Sequence, residues 1–268
     1  MKYAEICERL EHAGIANARW EARLLMEELL SDFSETEDYK SEKLSSAVER
    51  RCERYPLQYI IGKWWLARCE FEVSEDCLVP RPDTETVVEI AAKLLPNGAL
   101  FADLCTGSGC IAISVLDLRA DTSACAVELY PRTLDIAKRN ALKNNVSDRF
   151  EGLLGDVLEK NTLEGRKFSA IISNPPYIRS NVIPTLEKEV QSEPHAALDG
   201  GEDGLIFYRA IVDNFSENLE TDGFFLFEIG YDQGEDLAKI AQERGFSCEI
   251  YKDLGGCERA VILKKLQR

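Results

Sequence analysis

Across positions 1–54 apolar residues recur at helical steps. Ile6 and Leu10, then Leu24, Leu25, Leu29 and Leu30, stand three to four residues apart among charged neighbours. This spacing predicts amphipathic helices, with a polar connection over 34–40 and a further helix over 44–54. The pattern changes over 56–82. Short apolar runs at Tyr59-Ile60-Ile61, Trp64-Trp65-Leu66 and Cys69-Glu70-Phe71-Glu72-Val73, set around Gly62, predict a β-hairpin. Arg81-Pro82-Asp83-Thr84-Glu85 reads as a helix start, with Asp83 or Thr84 as the cap and 86–95 carrying the apolar face.

From Gly98 onward strand-like and helix-like segments alternate. Strands are expected at 99–104, 123–128, 149–154, 168–173 and 223–229, and helices at 110–118, 131–143, 204–218 and 233–244. Such alternation implies an α/β fold with a doubly wound, mainly parallel sheet and right-handed crossovers. Two last strands, 247–252 and 259–264, flank the turn residues Asp253-Leu254-Gly255-Gly256, so one edge strand should run antiparallel. The expected organisation is a helical domain over 1–55, a β-hairpin linker over 56–82 and a catalytic domain over 83–268.

Composition narrows the class. The formal net charge of −16 disfavours a polyphosphate partner, whose binding needs a basic face, and favours a protein or small-molecule substrate. The N-terminal MKYAEICERL carries acids where an export signal would have an apolar core, so a cytoplasmic location is expected. Nine scattered cysteines with no Cys-x-x-Cys pair, and only His12 and His195 as imidazoles, point to reduced, mostly buried thiols and no zinc site.

In doubly wound sheets ligands bind beyond the carboxyl ends of the strands. The first parallel strand ends in Asp103-Leu104-Cys105-Thr106-Gly107-Ser108-Gly109, where the two glycines allow a tight turn and close approach to a ligand. Glu128 ends the next strand, where an acid accepts hydrogen bonds from ribose hydroxyls, and Asp156 follows the third, placed to meet an adenine amine. The glycine spacing is incomplete, with Ala112 in the last position, and by itself leaves a nicotinamide enzyme open.

The strand over 168–173 runs into Asn174-Pro175-Pro176-Tyr177. An amide nitrogen is a weak nucleophile because its lone pair is delocalised, so alkylating it requires acceptors for its protons and a surface that holds its plane. The Asn174 side-chain oxygen and the Pro175 carbonyl supply two acceptors. Consecutive prolines fix the backbone and remove competing donors, and Tyr177 is placed to stack on the planar group. These features suit orientation of a near-attack geometry more than base catalysis.

Asn-Pro-Pro-Tyr following that glycine loop resembles the amino-methyltransferases with a class I S-adenosylmethionine fold. The chain is more narrowly similar to the PrmC (HemK) family, which methylates the glutamine of the Gly-Gly-Gln motif in peptide-chain release factors. The likeness runs through Pro56-Leu57-Gln58-Tyr59-Ile60-Ile61-Gly62, Val79-Pro80-Arg81-Pro82-Asp83-Thr84-Glu85 and Ser173-Asn174-Pro175-Pro176-Tyr177-Ile178. It continues in Glu193-Pro194-His195-Ala196-Ala197-Leu198, Gly200-Gly201-Glu202-Asp203-Gly204-Leu205 and Phe227-Glu228-Ile229-Gly230. The resemblance implies S-adenosylmethionine as cofactor, held by Asp103, Cys105, Thr106, Gly107, Ser108, Gly109, Glu128, Asp156 and Val157, with Asn174 beside it. It implies that Asn174, Pro175, Pro176 and Tyr177 hold the substrate glutamine. It also implies that the helical domain grips the release factor, with the enzyme a monomer that contacts neither membrane nor nucleic acid directly. Cys105 stands where the family usually has glycine, which is costly if that backbone needs φ > 0 and harmless if it is extended. His195 falls in a loop and is expected to be structural. The alternatives are a sister enzyme acting on a ribosomal-protein glutamine, an adenine-N6 DNA methyltransferase, and a cofactor-binding scaffold without catalysis.

Overall fold

A computed structural model describes residues 1–31 and 36–266. Three helices open the chain: α1 (Tyr3–His12), α2 (Ala18–Leu30) and α3 (Glu37–Cys52). Their inward faces meet in a separate core built on Ile6, Leu10, Leu25, Leu29, Leu44 and Val48. The polar connection expected over 34–40 lies partly outside the described residues; from Glu37 the chain is already helical, because the Thr36 hydroxyl accepts from Tyr39 N at 3.3 Å and caps α3.

The hairpin is β1 (Lys63–Leu66) paired antiparallel with β2 (Cys69–Glu72). Tyr59-Ile60-Ile61 is not part of it. These residues form the short helix α4 (Leu57–Ile61), which opens after Pro56 and stops at Gly62 with φ 74°. The run misled because Ile60 and Ile61 pack on the helical core, while Tyr59 enters the core under the sheet and donates to Cys77 O at 2.6 Å. The expected cap at Asp83 or Thr84 does not form either. Pro82–Thr84 is a 3-10 turn leading into α5 (Glu85–Leu94), and Thr84, 1% exposed, makes no capping bond.

The remainder comprises β3 (Leu100–Leu104), α6 (Cys110–Leu118), β4 (Ser123–Glu128), α7 (Pro131–Lys143), β5 (Phe150–Leu154) and β6 (Phe168–Ser173). A four-residue α8 (Lys188–Gln191), α9 (Ile206–Phe215), β7 (Leu219–Glu228), α10 (Gly234–Glu243), β8 (Phe246–Lys252) and β9 (Glu258–Lys265) complete it. The seven-stranded sheet has the order β5-β4-β3-β6-β7-β9-β8. The antiparallel strand expected at an edge is β9, one place in from β8. Alternate residues of each strand enter opposite cores. Phe101, Ala124, Ala170 and Leu226 pack with α5, α6, α7 and the hairpin, whereas Leu104, Val127, Ile171 and Phe227 pack with α9 and α10. Among the described residues no helix is long and apolar enough to cross a membrane.

Candidate active site

Strand order reverses between β3 and β6, and a cavity of about 330 Å³ opens beyond their carboxyl ends. Cys105 and Gly107 after β3, Glu128 ending β4, Asp156 and Val157 after β5, and Asn174 and Pro176 after β6 all line it. Four separate strand ends thus bring the two groups of candidate residues to one cavity.

The loop after β3 is left-handed at three points: Cys105 (φ 58°), Gly107 (φ 57°) and Gly109 (φ 82°). Cys105 therefore occupies the strained alternative, a Cβ-bearing residue in a conformation that favours glycine. Its thiol, half-buried in the cavity wall, is pushed well above the ordinary value, chiefly by desolvation, and stays neutral. A Cβ at Gly107 would meet nothing within 4 Å, which leaves that face of the loop open. Behind the loop, Asp103 accepts from Thr106 Oγ1 at 2.6 Å and Ala112 N at 3.2 Å, while its other oxygen is buried without a partner among the described residues. Burial raises the Asp103 carboxyl to about 7, opposed by those two donors. Asp103, Thr106, Ser108 and Gly109 shape the loop from behind and do not line the cavity.

Glu128 is fixed by three backbone N–H groups. Gly107 donates to one oxygen at 3.0 Å, and Leu129 and Tyr130 donate to the other at 2.9 and 3.1 Å. Burial raises its pKa and these donors lower it. Asp156 accepts from Leu158 N at 2.8 Å.

Ser173 at the end of β6 donates to Leu104 O at 2.6 Å and so locks the two strand ends together. Pro175 and Pro176 are buried and Asn174 is half-buried. The Tyr177 ring does not line the cavity; it packs partly buried against the core shared with α9. Its backbone is held instead, since Gln233, 2% exposed, donates to Tyr177 O at 3.1 Å and to Gly204 O at 3.2 Å while accepting from Gly230 N at 2.9 Å. The segment 198–205 presses close beneath. A Cβ at Gly200 would lie 2.8 Å from Pro176 O, and one at Gly204 (φ 76°) would collide with Tyr177 O. Gly204→Ala is accordingly expected to lower stability by about 2 kcal/mol and to reduce turnover, read by urea denaturation alongside an activity assay.

Sequence reasoning missed several contributors. Cys77 and Leu78 before the turn, Leu129, Tyr130 and Thr133 after β4, and Pro194–Ala197 also line the cavity. His195, assigned a structural place in a loop, is exposed at this rim, 3.8 Å from Asp199. Glu193, 5% exposed, accepts from Val79 N at 3.0 Å and pairs with Arg81, joining the segments before α5 and after α8. No local pattern marks Glu193, which stands in the polar stretch Gln191-Ser192-Glu193 and finds its partners more than a hundred residues away.

Comparison with known proteins fits this geometry. The chain matches the Methyltransferase small domain over residues 85–203 and the PrmC N-terminal domain over 3–62. It is 35% identical over 270 residues to the release factor glutamine methyltransferase of Clostridium botulinum, covering 96% of this chain and 95% of that protein. The chain belongs to the release factor glutamine methyltransferase family. The Agrobacterium fabrum member is 35% identical over 274 residues, covering 96% of this chain and 94% of its own length. A methyltransferase structure from Pyrococcus furiosus, 20% identical, shares the fold with a TM-score of 0.55 over 74% of this chain and 89% of that one. In this family member the candidate residues that line the cavity stand at the carboxyl ends of β3, β4, β5 and β6.

Proposed function

We propose that this enzyme transfers a methyl group from S-adenosylmethionine to the side-chain amide nitrogen (N5) of the glutamine in the Gly-Gly-Gln motif of peptide-chain release factors, in the cytoplasm. One observation carries the reading: Asn174 and Pro176 share a single cavity with Cys105, Gly107, Glu128 and Asp156. An amide-orienting corner and a nucleoside-type site therefore open on the same space.

The residues present fit the cofactor. The open face at Gly107 admits a ligand against the backbone. The walls are mainly apolar, with Val127, Leu129, Val157 and Phe207 suited to a flat base, and Glu128 and Asp156 supply acceptors. Bound there, S-adenosylmethionine supplies a methyl group on a positively charged sulfur. Glu128, which lines the cavity, would accept from ribose hydroxyls. Asn174 Oδ1 and the Pro175 carbonyl would accept the two amide protons. As positive charge grows on the substrate nitrogen those bonds strengthen, which places their contribution in the transition state.

Glu128→Ala is expected to weaken cofactor binding by roughly 10-fold or more, as for loss of a charge-assisted bond, while turnover at saturating cofactor changes less. Isothermal titration reads this, and unchanged affinity would reject the ribose assignment. The reading itself is tested with methyl-labelled cofactor and purified release factor. Label lost on changing the Gly-Gly-Gln glutamine to alanine supports it. Label appearing only on a ribosomal protein would transfer the activity to a different glutamine.

A further inference from the structure

Beside the amide-orienting corner stands an acid to which no role has been given. Glu228 ends β7, and the β6–β7 register pairs Ser173 with Phe227, so Asn174 and Glu228 are the next residues on neighbouring parallel strands. Side chains at paired positions of parallel strands project to the same face. Glu228 is 1% exposed, and its Oε2 has no hydrogen-bond partner among the described residues. The Thr84 hydroxyl and, more weakly, the Asn174 side-chain amide act on this carboxyl and favour its charged form. Thr84 is the residue that makes no capping bond, and its hydroxyl acts on this carboxyl instead. Three segments quoted for the family resemblance therefore converge on one buried acid behind the cavity wall.

We propose that Glu228 is a positioning residue: its carboxylate holds the nitrogen end of the Asn174 side chain, so that the oxygen end faces the substrate amide. This rests on the methyl-transfer reading above. The chemistry follows from donor and acceptor counts. A carboxylate only accepts, so it selects the amide NH₂ of Asn174. That leaves Oδ1 directed at the substrate N–H. A protonated Glu228 can donate to Oδ1 instead, which would turn an NH₂ group toward the substrate NH₂ and oppose binding of the reactive amide plane.

The surroundings make that protonation reachable. Burial pushes the Glu228 carboxyl up to about 7, with Thr84, Arg259 on β9 and Asn174 lowering it and Asp83 raising it. Tyr177 and Tyr208, which also face it, and Cys110 at the start of α6 are all pushed upward and stay neutral in this range. A folded carboxyl raised above its unfolded value binds more protons in the native state, so its contribution to stability declines as pH rises from about 4.5 to about 7. At pH 8 the buried charge opposes folding, and the isosteric Glu228→Gln removes it. A merely structural role therefore gives E228Q no loss of turnover.

The test measures methyl transfer to release factor at saturating cofactor, for wild type, E228Q, N174A and the double variant. The expected results for E228Q at pH 8 are turnover lowered about 10-fold or more, nearly unchanged cofactor affinity and a melting temperature no lower than wild type. Wild-type turnover should show an acid limb near 7 that E228Q lacks, and E228Q should add nothing to N174A, since both remove one oriented acceptor. E228Q turnover equal to wild type, a multiplicative effect on N174A, or a wild-type profile flat to pH 6 would each overturn the inference. Should E228Q fail to fold, a wild-type profile flat to pH 6 still overturns the inference. No transfer by the wild type itself would remove the methyl-transfer reading, and this inference with it.

Discussion

Asn174→Ala is expected to lower turnover by about 10²-fold or more, comparable with removing one preorganised donor or acceptor at a reacting centre. Cofactor affinity should remain within about twofold, because the groups proposed to meet the cofactor, Glu128, Gly107 and Asp156, sit on other strand ends. The loss belongs in turnover more than in the Michaelis constant for release factor. Asn174 contributes one acceptor in the ground state, but that bond tightens only as the amide nitrogen becomes positive. The alanine variant should also fold normally, since Asn174 is half-buried and the backbone of this corner is held by Ser173 and Gln233 rather than by its own side chain. Single-turnover kinetics with a titration of cofactor separate the two quantities. An equal fall in cofactor affinity would assign Asn174 to the cofactor instead of the glutamine.

The largest effect on stability is expected from Arg51. Its guanidinium, on α3, donates to both oxygens of Glu21 on α2 at 2.6 and 3.1 Å, and to Glu189 on α8 at 3.0 Å. Arg54 reaches the same Glu189 at 2.7 Å. Arg51 and Glu21 side chains are 8% and 10% exposed, so the pair is desolvated, and removing one member strands the other. Arg51→Met keeps the apolar stem and removes the charge. It is expected to lower stability by about 3–5 kcal/mol, measured by urea denaturation. The Arg51–Glu189 bond ties the helical domain to the segment that runs on through Glu193 to the cavity rim at Pro194 and His195. A drop below about 1 kcal/mol would show that solvent reaches the pair and that the two parts are held by other contacts.

Much of this architecture is legible from residue order because it depends on local periodicity. Strands at 123–128 and 168–173 and helices at 110–118 and 131–143 coincide with the observed elements, since each has one clear apolar face or a buried run bounded by turn residues. Glu128 and Asn174 could be placed because each directly follows such a run. The misreadings arise where tertiary packing overrides local preference. Tyr59-Ile60-Ile61 has strand-like composition but is divided between the helical core and the core under the sheet, and Thr84 has capping chemistry but acts on Glu228. Strand β7 starts at Leu219, earlier than the apolar run, because its polar start at 220–222 still belongs to the strand. Glu193, Gln233 and Glu228 could not be assigned from sequence. Their partners lie far along the chain, so nothing local marks an acid or amide as the support of a distant corner. Tyr177 shows the same limit: the motif names the residue, but only packing reveals that its ring is anchored in the core.

The most direct test of the central claim is to locate the transferred methyl group. Release factor treated with the enzyme and S-adenosylmethionine is digested, and the Gly-Gly-Gln peptide is fragmented in a mass spectrometer. The expected result is one added methyl on the glutamine side chain, absent from the Asn174→Ala reaction over the same time. A methyl on any other residue, or an unmodified glutamine beside a fully active cofactor site, would contradict the account.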